Sequence, residues 1–503
     1  MSVKTPELTP PAIRGSRIAL EALGLGLLFL GIFVLLSPDA FYKADAQHLV
    51  WRLIGRNAEY PHHRFYMPTL IAFGDLVAPL GLTPFEVARL FSQVGGALAI
   101  AFAHAGFRRL VGSPRIALLA TLLFALCPAI VFFSNVVEFH GPFLAFAALA
   151  FLIFSFAVGD EPAGPGELVL AAALGLSTSV AAGMHASGML LPAIFLPWWL
   201  LLRYRRGQLS PEGRWSWPVF AGPLVAALVH GGGLALFVRV QKSTEFLKEG
   251  FQHPQGIEHL PEIIFAEWLA PFLPLSLVPF ILILGRRFRL ESLFVIVALG
   301  PYLLGALRLL VGDSESGAYL LPLALPTAWL TATSLGWLRR SVELGKHAVP
   351  LALSILLIST LLAWARVEDF DRNEAYQQYA QSLRSCLDSD DALVMIGHPD
   401  PVDELGAVLL ELPKLKIWLA DEPTKYGAEQ IRTGYFPAIL PGLRKELEAG
   451  HSVYITDKAR KFLLLPEASR LGGGPAFLEL LEKVCRLERI ERQGFVVYKL
   501  HLK

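Results

Sequence analysis

Long apolar runs separated by short basic segments fill this chain up to about residue 366, and the pattern stops there. A helix needs about 20 apolar residues to cross the hydrocarbon core of a bilayer. Against that length about eleven stretches qualify, near 18–37, 84–106, 115–134, 141–158, 167–184, 186–203, 216–238, 266–285, 290–311, 317–337 and 347–365. The run from Glu167 to Arg203 is too long for one span and is divided at Gly183. Segment 68–82 is apolar but short and bracketed by Pro68 and Pro84, which reads as an interfacial or re-entrant piece. The first run is too long for a signal-peptide core and lacks a small-residue cleavage site, so it reads as a retained span.

After Trp364 the pattern changes character. Ala392-Leu-Val-Met-Ile-Gly, Lys416-Ile-Trp-Leu and Ser452-Val-Tyr-Ile-Thr read as short buried strands, and Gly494-Phe-Val-Val-Tyr-Lys-Leu as an edge strand. Helical stretches near 373–386, 402–411 and 474–485 separate them. Alternating strands and helices predict a small α/β domain. The expected organisation is a short N-terminus over 1–17, a membrane region over 18–366 with outer loops at 38–83 and 239–265, and a water-soluble α/β domain over 367–503.

Composition agrees. Only 17% of residues are charged, against about 25% in an average soluble protein. The net charge of +1 leaves no footprint for nucleic acid. Lys and Arg mark the cytoplasmic loops of membrane proteins. With the N-terminus inside, the inner segments collect Arg108, Arg109 and Arg115, then Arg203, Arg205 and Arg206, then Arg286, Arg287 and Arg289, then Arg339, Arg340 and Lys346. The opposite orientation places nearly all of them outside. An odd number of spans then sends the soluble domain out, across a bacterial-type plasma membrane or, in a eukaryote, the endoplasmic reticulum membrane. Three cysteines do not make a disulfide framework. Cys386 and Cys485 could pair in an oxidising compartment or stay reduced and buried.

The polar residues that break the pattern gather at the outer ends of the spans. Asp45 lies in the first outer loop with Lys43 and His48; a carboxylate there can take a proton from an acceptor hydroxyl, or simply cap a helix. Tyr60-Pro-His62-His63-Arg64-Phe-Tyr holds cations able to bind phosphate oxygens, or forms an interfacial aromatic belt. Adjacent His62 and His63 would point apart on a strand, which does not make a metal pair. Glu138 and His140 fall between two spans, His185 begins another, and Arg89 and Arg308 lie near outer ends. Ionisable residues at membrane depth are functional candidates by default, although a packed histidine is an equal reading of His185.

In this order the elements resemble the GT-C superfamily of membrane glycosyltransferases, and within it the protein-O-mannosyltransferase-like members. The resemblance runs over about residues 15–340. It is carried by Lys43-Ala-Asp45-Ala after the first span, the Tyr-Pro-His-His-Arg-Phe-Tyr-Met-Pro segment, Ala88-Arg89-Leu-Phe-Ser, Asn135-Val-Val-Glu138-Phe-His140 and Met184-His185-Ala-Ser-Gly. It implies an inverting transfer of a sugar from a polyprenyl-phosphate donor to a hydroxyl of a glycan, lipid or protein. Asp45 would be the general base. Arg64, Arg89, His62 and His63 would hold the donor phosphate, with Arg308 in reserve, and Lys43, Tyr60, Glu138, His140, His185 and Tyr319 would line the pocket. The chain departs from the family in two places. Ala46 stands where members often have a second acid beside the first, so the need for a divalent metal stays open. Ala318 precedes Tyr319 where many have an arginine.

Two other classes compete. A transporter or flippase usually shows paired repeats and broken helices near the midplane; no repeat is evident, and the polar residues favour one face. A non-catalytic scaffold would leave Asp45 idle and act through its tail. Orientation is directly testable. A reporter fused after Lys503 is expected to be active outside the cytoplasm, and activity confined to the cytoplasm means the number of spans is even.

Overall fold

The computed structural model describes residues 15–37, 41–42, 44–59, 63–158, 165–206, 217–237, 259–284, 287–309, 317–341, 345–368, 373–389, 392–397, 403–466, 471–492 and 494–503. The chain divides into two compact units. One comprises Met1–Pro38, Arg56–Leu80 and Glu86–Asp369; the other comprises Asp39–Gly55, Gly81–Phe85 and Phe370–Lys503.

The first unit is helical and belongs to an integral membrane protein. Its leading helices are α1 (Gly15–Leu35), α3 (Tyr66–Val77), α4 (Pro84–Val111, from Glu86 on), α5 (Pro114–Ala125), α6 (Pro128–Asn135), α7 (His140–Ala157), α8 (Pro165–Met184), α9 (Leu191–Arg205) and α10 (Trp217–Phe237). Among the described residues, seven helices are long and apolar enough to cross a membrane, or eight if the bent pair α5 and α6 is one span. The expectation of about eleven spans meets this number only in part. Stretch 115–134 is not straight: it bends by 58° at the break before Pro128. Stretch 266–285 is not one helix. It falls into a π-helical turn at Ile264–Leu269, a 3-10 turn at Leu275–Leu277 and a short helix at Val278–Leu282. Pro271, Pro274 and Pro279 lie along it, and each proline removes a helix donor. Helices Arg289–Leu309 and Gly345–Glu368 form where spans were expected. The 68–82 piece is helical through Leu80 but too short to cross.

Where helices touch, small residues let backbones meet. A Cβ on Gly95 of α4 would lie 2.5 Å from the Pro142 nitrogen, and one on Gly141 would lie 2.6 Å from the Ser92 carbonyl. Several charges of this unit are paired. Arg203 meets Glu167 at 2.9 Å with both side chains buried, Arg108 meets Glu21 at 2.8 Å, and Arg205 meets Glu291 at 2.6 Å. By contrast, Arg56 and Asp75 form a two-bond pair at 2.8 and 2.9 Å that is mostly exposed.

The second unit is built on a five-stranded sheet. Its strands are β1 (Leu393–Ile396), β2 (Lys416–Leu419), β3 (Val453–Thr456), β4 (Cys485–Arg492) and β5 (Phe495–Leu502), in the order β2-β1-β3-β5-β4. The first three pair in parallel and the β4–β5 hairpin closes one side antiparallel. Three expected strands and the Asn373–Cys386 and Asp403–Glu411 helices form where the sequence placed them. One expectation fails, and one strand was not expected at all. The last strand is not an edge, because β5 lies between β3 and β4. The final helix ends at Val484, and the chain turns extended at Cys485 to make the edge strand itself. Cys386 and Cys485 are buried free thiols and do not pair.

This unit also takes in part of the expected first outer loop. Helix α2 (Ala44–Ile54) buries Ala46, Gln47, Leu49 and Val50 and packs on the Asp403–Glu411 helix. The close approach needs Gly406, where a Cβ would lie 3.0 Å from Gln47 Nε2 and from the Tyr376 ring. Next to it, Glu404 is buried. It accepts from the Gly397 N–H at 2.6 Å, the Tyr379 hydroxyl at 2.7 Å and the Thr456 hydroxyl at 3.3 Å. Burial and then the Glu404 carboxylate push the Tyr379 phenol well above its ordinary range, so it stays a donor. Of the Gly397–Asp400 turn only Gly397 is described.

The buried and exposed ion pairs are expected to differ in weight. Glu167→Ala leaves the Arg203 guanidinium buried without its partner and should cost about 3–5 kcal/mol. Asp75→Ala should cost about 0–1 kcal/mol. Thermal unfolding of the two variants in detergent measures the difference; equal melting overturns the structural role of the Glu167–Arg203 pair.

Candidate active site

Breaks between helices bring five of the predicted residues together in the first unit. The chain leaves α6 through four non-helical residues, Val136 to Phe139, which carry Glu138 and place His140 at the first position of α7. His63 lies just before α3. That entry is fixed by the Phe65 N–H donating to the Gly183 carbonyl at 2.9 Å. His185 is the extended residue between α8 and the 3-10 turn Ala186–Leu190. Tyr319 rides on a 3-10 turn, Ala318–Leu323.

The rings meet face to edge and face to face. His63 stacks on His185 with centroids 4.8 Å apart and planes 15° apart. His140 lies 4.5 Å from His185, and Tyr319 lies 5.3 Å from His185 and 6.0 Å from His140. Phe139 closes one side, 4.1 Å from His63. One Glu138 oxygen lies 3.7 Å from His140 Nδ1 and accepts from the Phe139 N–H. The Glu138 backbone is held by Ser92 and by the Tyr66 hydroxyl. His63, Glu138, His140 and His185 are all buried.

Hydrogen bonding fixes one tautomer. His185 Nδ1 accepts from the Ser187 N–H at 3.3 Å and lies 2.7 Å from Ser187 Oγ. A ring nitrogen that accepts from an amide carries no proton, so neutral His185 presents Nε2–H as a donor. Imidazole and phenol donors beside a single carboxylate can recognise hydroxyls and phosphate oxygens. Among the described residues no group of three His, Cys, Asp or Glu is arranged to hold a metal ion.

The other predicted residues do different things. Arg64 is exposed, and its guanidinium donates to the Leu236 carbonyl at 2.8 Å, satisfying an end carbonyl of α10. Arg89 is half-buried in the second turn of α4 and has partners of its own. Asp45 is exposed in the first turn of α2, where the helix dipole favours a carboxylate, and it belongs to the second unit. Lys43, Tyr60, His62 and the Arg308 side chain lie outside the described residues.

Sequence reasoning missed one residue of the cluster's support. Glu267 is buried on the π-helical turn and accepts from the Gly317 N–H at 2.7 Å. Gly317 has φ +86° and begins the turn that carries Tyr319. The signal was present as a lone acid in an apolar stretch, but that stretch was read as a regular span.

No protein-family model matches the chain, and no curated protein matches it in sequence. Solved structures do. ArnT from Cupriavidus metallidurans in the apo state aligns with a TM-score of 0.54 at 14% identity, covering 96% of this chain and 98% of that one. The same protein bound to undecaprenyl phosphate aligns with a TM-score of 0.50 at 14% identity, covering 97% and 98%. An oligosaccharyltransferase from Archaeoglobus fulgidus, in complex with zinc and sulfate, aligns with a TM-score of 0.48 at 12% identity, covering 96% and 72%. At 14% identity this likeness shows the fold, and the chain has the GT-C fold that it shares with ArnT.

The Glu267–Gly317 support yields a stability test. A Cβ on Gly317 would lie 2.7 Å from the Phe272 ring and 3.0 Å from the Glu267 carbonyl, whereas one on Gly81 (φ +68°) meets nothing within 4 Å. Gly317→Ala therefore adds overpacking, about 1–3 kcal/mol, to the backbone strain that both positions share. Melting measurements should show Gly317→Ala less stable than Gly81→Ala. Equal losses mean the turn carrying Tyr319 is not tightly held.

Proposed function

We propose that this chain is a glycosyltransferase that moves a sugar from a polyprenyl-phosphate carrier to an acceptor hydroxyl. The observation that carries the reading is the meeting of buried His63, Glu138, His140 and His185 with half-buried Tyr319 on a GT-C fold. It is supported by ArnT, of the same fold, having been solved with undecaprenyl phosphate bound. The sugar is of hexosyl or mannosyl type. The acceptor is a glycan, lipid or protein on the outer face of the membrane, where the C-terminal domain also lies.

The reaction is an inverting displacement. The acceptor oxygen forms its bond to the anomeric carbon on the face opposite the leaving group, and the bond from that carbon to the phosphate oxygen breaks. The acceptor proton goes to the Asp45 carboxylate. Charge develops on the departing phosphate, and preorganised donors aimed at it lower the barrier. Arg89 and the histidine N–H groups take that role. Arg64, His62 and His63 remain candidates for the same phosphate, and Lys43, Tyr60, Glu138, His140, His185 and Tyr319 shape the pocket.

The test uses purified full-length protein with a polyprenyl-phosphate sugar. Asp45→Asn keeps the size of the side chain but cannot take the proton, and turnover should fall by about 10²–10⁴ while the melting curve is unchanged. Arg89→Ala should weaken donor binding, and the donor affinity of the unaltered protein should fall as salt rises. Near-normal turnover of Asp45→Asn removes that residue from catalysis. Normal donor binding by Arg89→Ala together with an earlier melt makes the arginine structural.

A further inference from the structure

An apolar cavity lies in the membrane unit, and none of the histidine-cluster residues lines it. It has a volume of about 310 Å³ and is walled by Val278, Ile281, Phe288, Trp337, Ala352 and Ile355. Ligand pockets start at about 300 Å³. Two hydroxyl residues also line it, but neither offers its polar group. Thr331 donates to the Thr327 carbonyl at 2.7 Å and Ser334 to the Thr331 carbonyl at 2.9 Å. The surface left to an occupant is hydrocarbon.

Cations stand at the same end of the bundle. The Arg287 guanidinium is held over the Trp337 ring, 5.1 Å from its centroid, and 5.9 Å from the Phe288 centroid. Both rings are walls of the cavity, so a fixed positive charge sits at its edge. Arg289 follows Phe288 by one residue and Arg339 follows Trp337 by two; all three arginines are exposed. The carboxylate nearby, Glu291, already pairs with Arg205, which also donates to the Arg287 carbonyl. Among the described residues none of Arg287, Arg289 and Arg339 pairs with a carboxylate.

We propose that this is a binding site for an anionic phospholipid, with one acyl chain in the cavity and the phosphate on the arginines. Hydrocarbon walls beside uncompensated cations match the two ends of such a lipid, and basic pockets between membrane helices bind anionic headgroups. A zwitterionic lipid would satisfy the cavity but not the charges. A free phosphate would satisfy the charges but not the cavity.

The experiment is native mass spectrometry of the full chain in detergent, offered phosphatidylglycerol and phosphatidylcholine of matched acyl chains. Phosphatidylglycerol should be retained on the order of tenfold or more in preference, since each arginine near a headgroup contributes about fivefold. The variant R287Q/R289Q/R339Q should hold the two lipids equally. Ala352→Trp should fill the cavity and lower retention of both. Should the charge variant not fold, the unaltered protein gives the same answer, because its preference must shrink as salt is raised. Equal retention by the unaltered protein overturns the site. So does a preference that survives both the charge variant and high salt.

Discussion

In lipid, every backbone N–H and C=O must find its partner inside the protein. That constraint organises the membrane unit. Continuous helices meet it by themselves, so they can face lipid, as α1 does with Leu20, Leu27 and Leu35 exposed. Interrupted helices cannot, and the interruptions are accordingly buried. The bend at Val136 to Phe139, the extended His185, Glu267 on the π-helical turn and the turn residues Gly317 and Ala318 are buried. Each supplies its loose backbone groups from nearby side chains: Ser92 and Tyr66 for Glu138, His185 for Ser187, and Glu267 for Gly317. The polar cluster is therefore a product of broken helices. The residues that satisfy the breaks, or are presented by them, are the ones with chemistry to offer.

This explains how much the sequence disclosed. Glu138, His140 and His185 were visible because each interrupts an apolar run near its end, where period and length already signalled a boundary, whereas Tyr319 came only through the family resemblance. Glu267 also interrupts one, but it lies within a stretch long enough to pass as a span, and hydropathy alone does not show that its three prolines break the helix. The strands of the second unit were legible from short apolar runs. Strand β4 was not, since Cys485-Arg-Leu-Glu-Arg-Ile-Glu-Arg continues the composition of the preceding helix and becomes a strand only through its ladder with β5. Helix α2 was invisible for a similar reason. Its apolar face is short, and its partner, the Asp403–Glu411 helix, lies more than 300 residues on.

The grouping of α2 with the C-terminal unit changes the meaning of the tail. A soluble domain at the end of a membrane chain invites the reading of an appendage. Here the helix bearing Asp45 is packed into that domain, and Gly406 and Tyr376 of the tail set its position. The tail is thus part of whatever α2 does.

The outermost strand of the sheet bears on how copies of the protein coexist. A membrane confines its proteins to two dimensions, where neighbouring domains collide far more often than in free solution. An open row of amides at a sheet margin would then invite strand exchange between copies. Strand β4 presents Arg486, Glu488, Arg489, Glu491 and Arg492 to solvent along its length, and such charge discourages a further strand from adding. At the other margin β2 is only four residues long. Crowding in the bilayer thus leaves the second unit with little means of polymerising through its sheet.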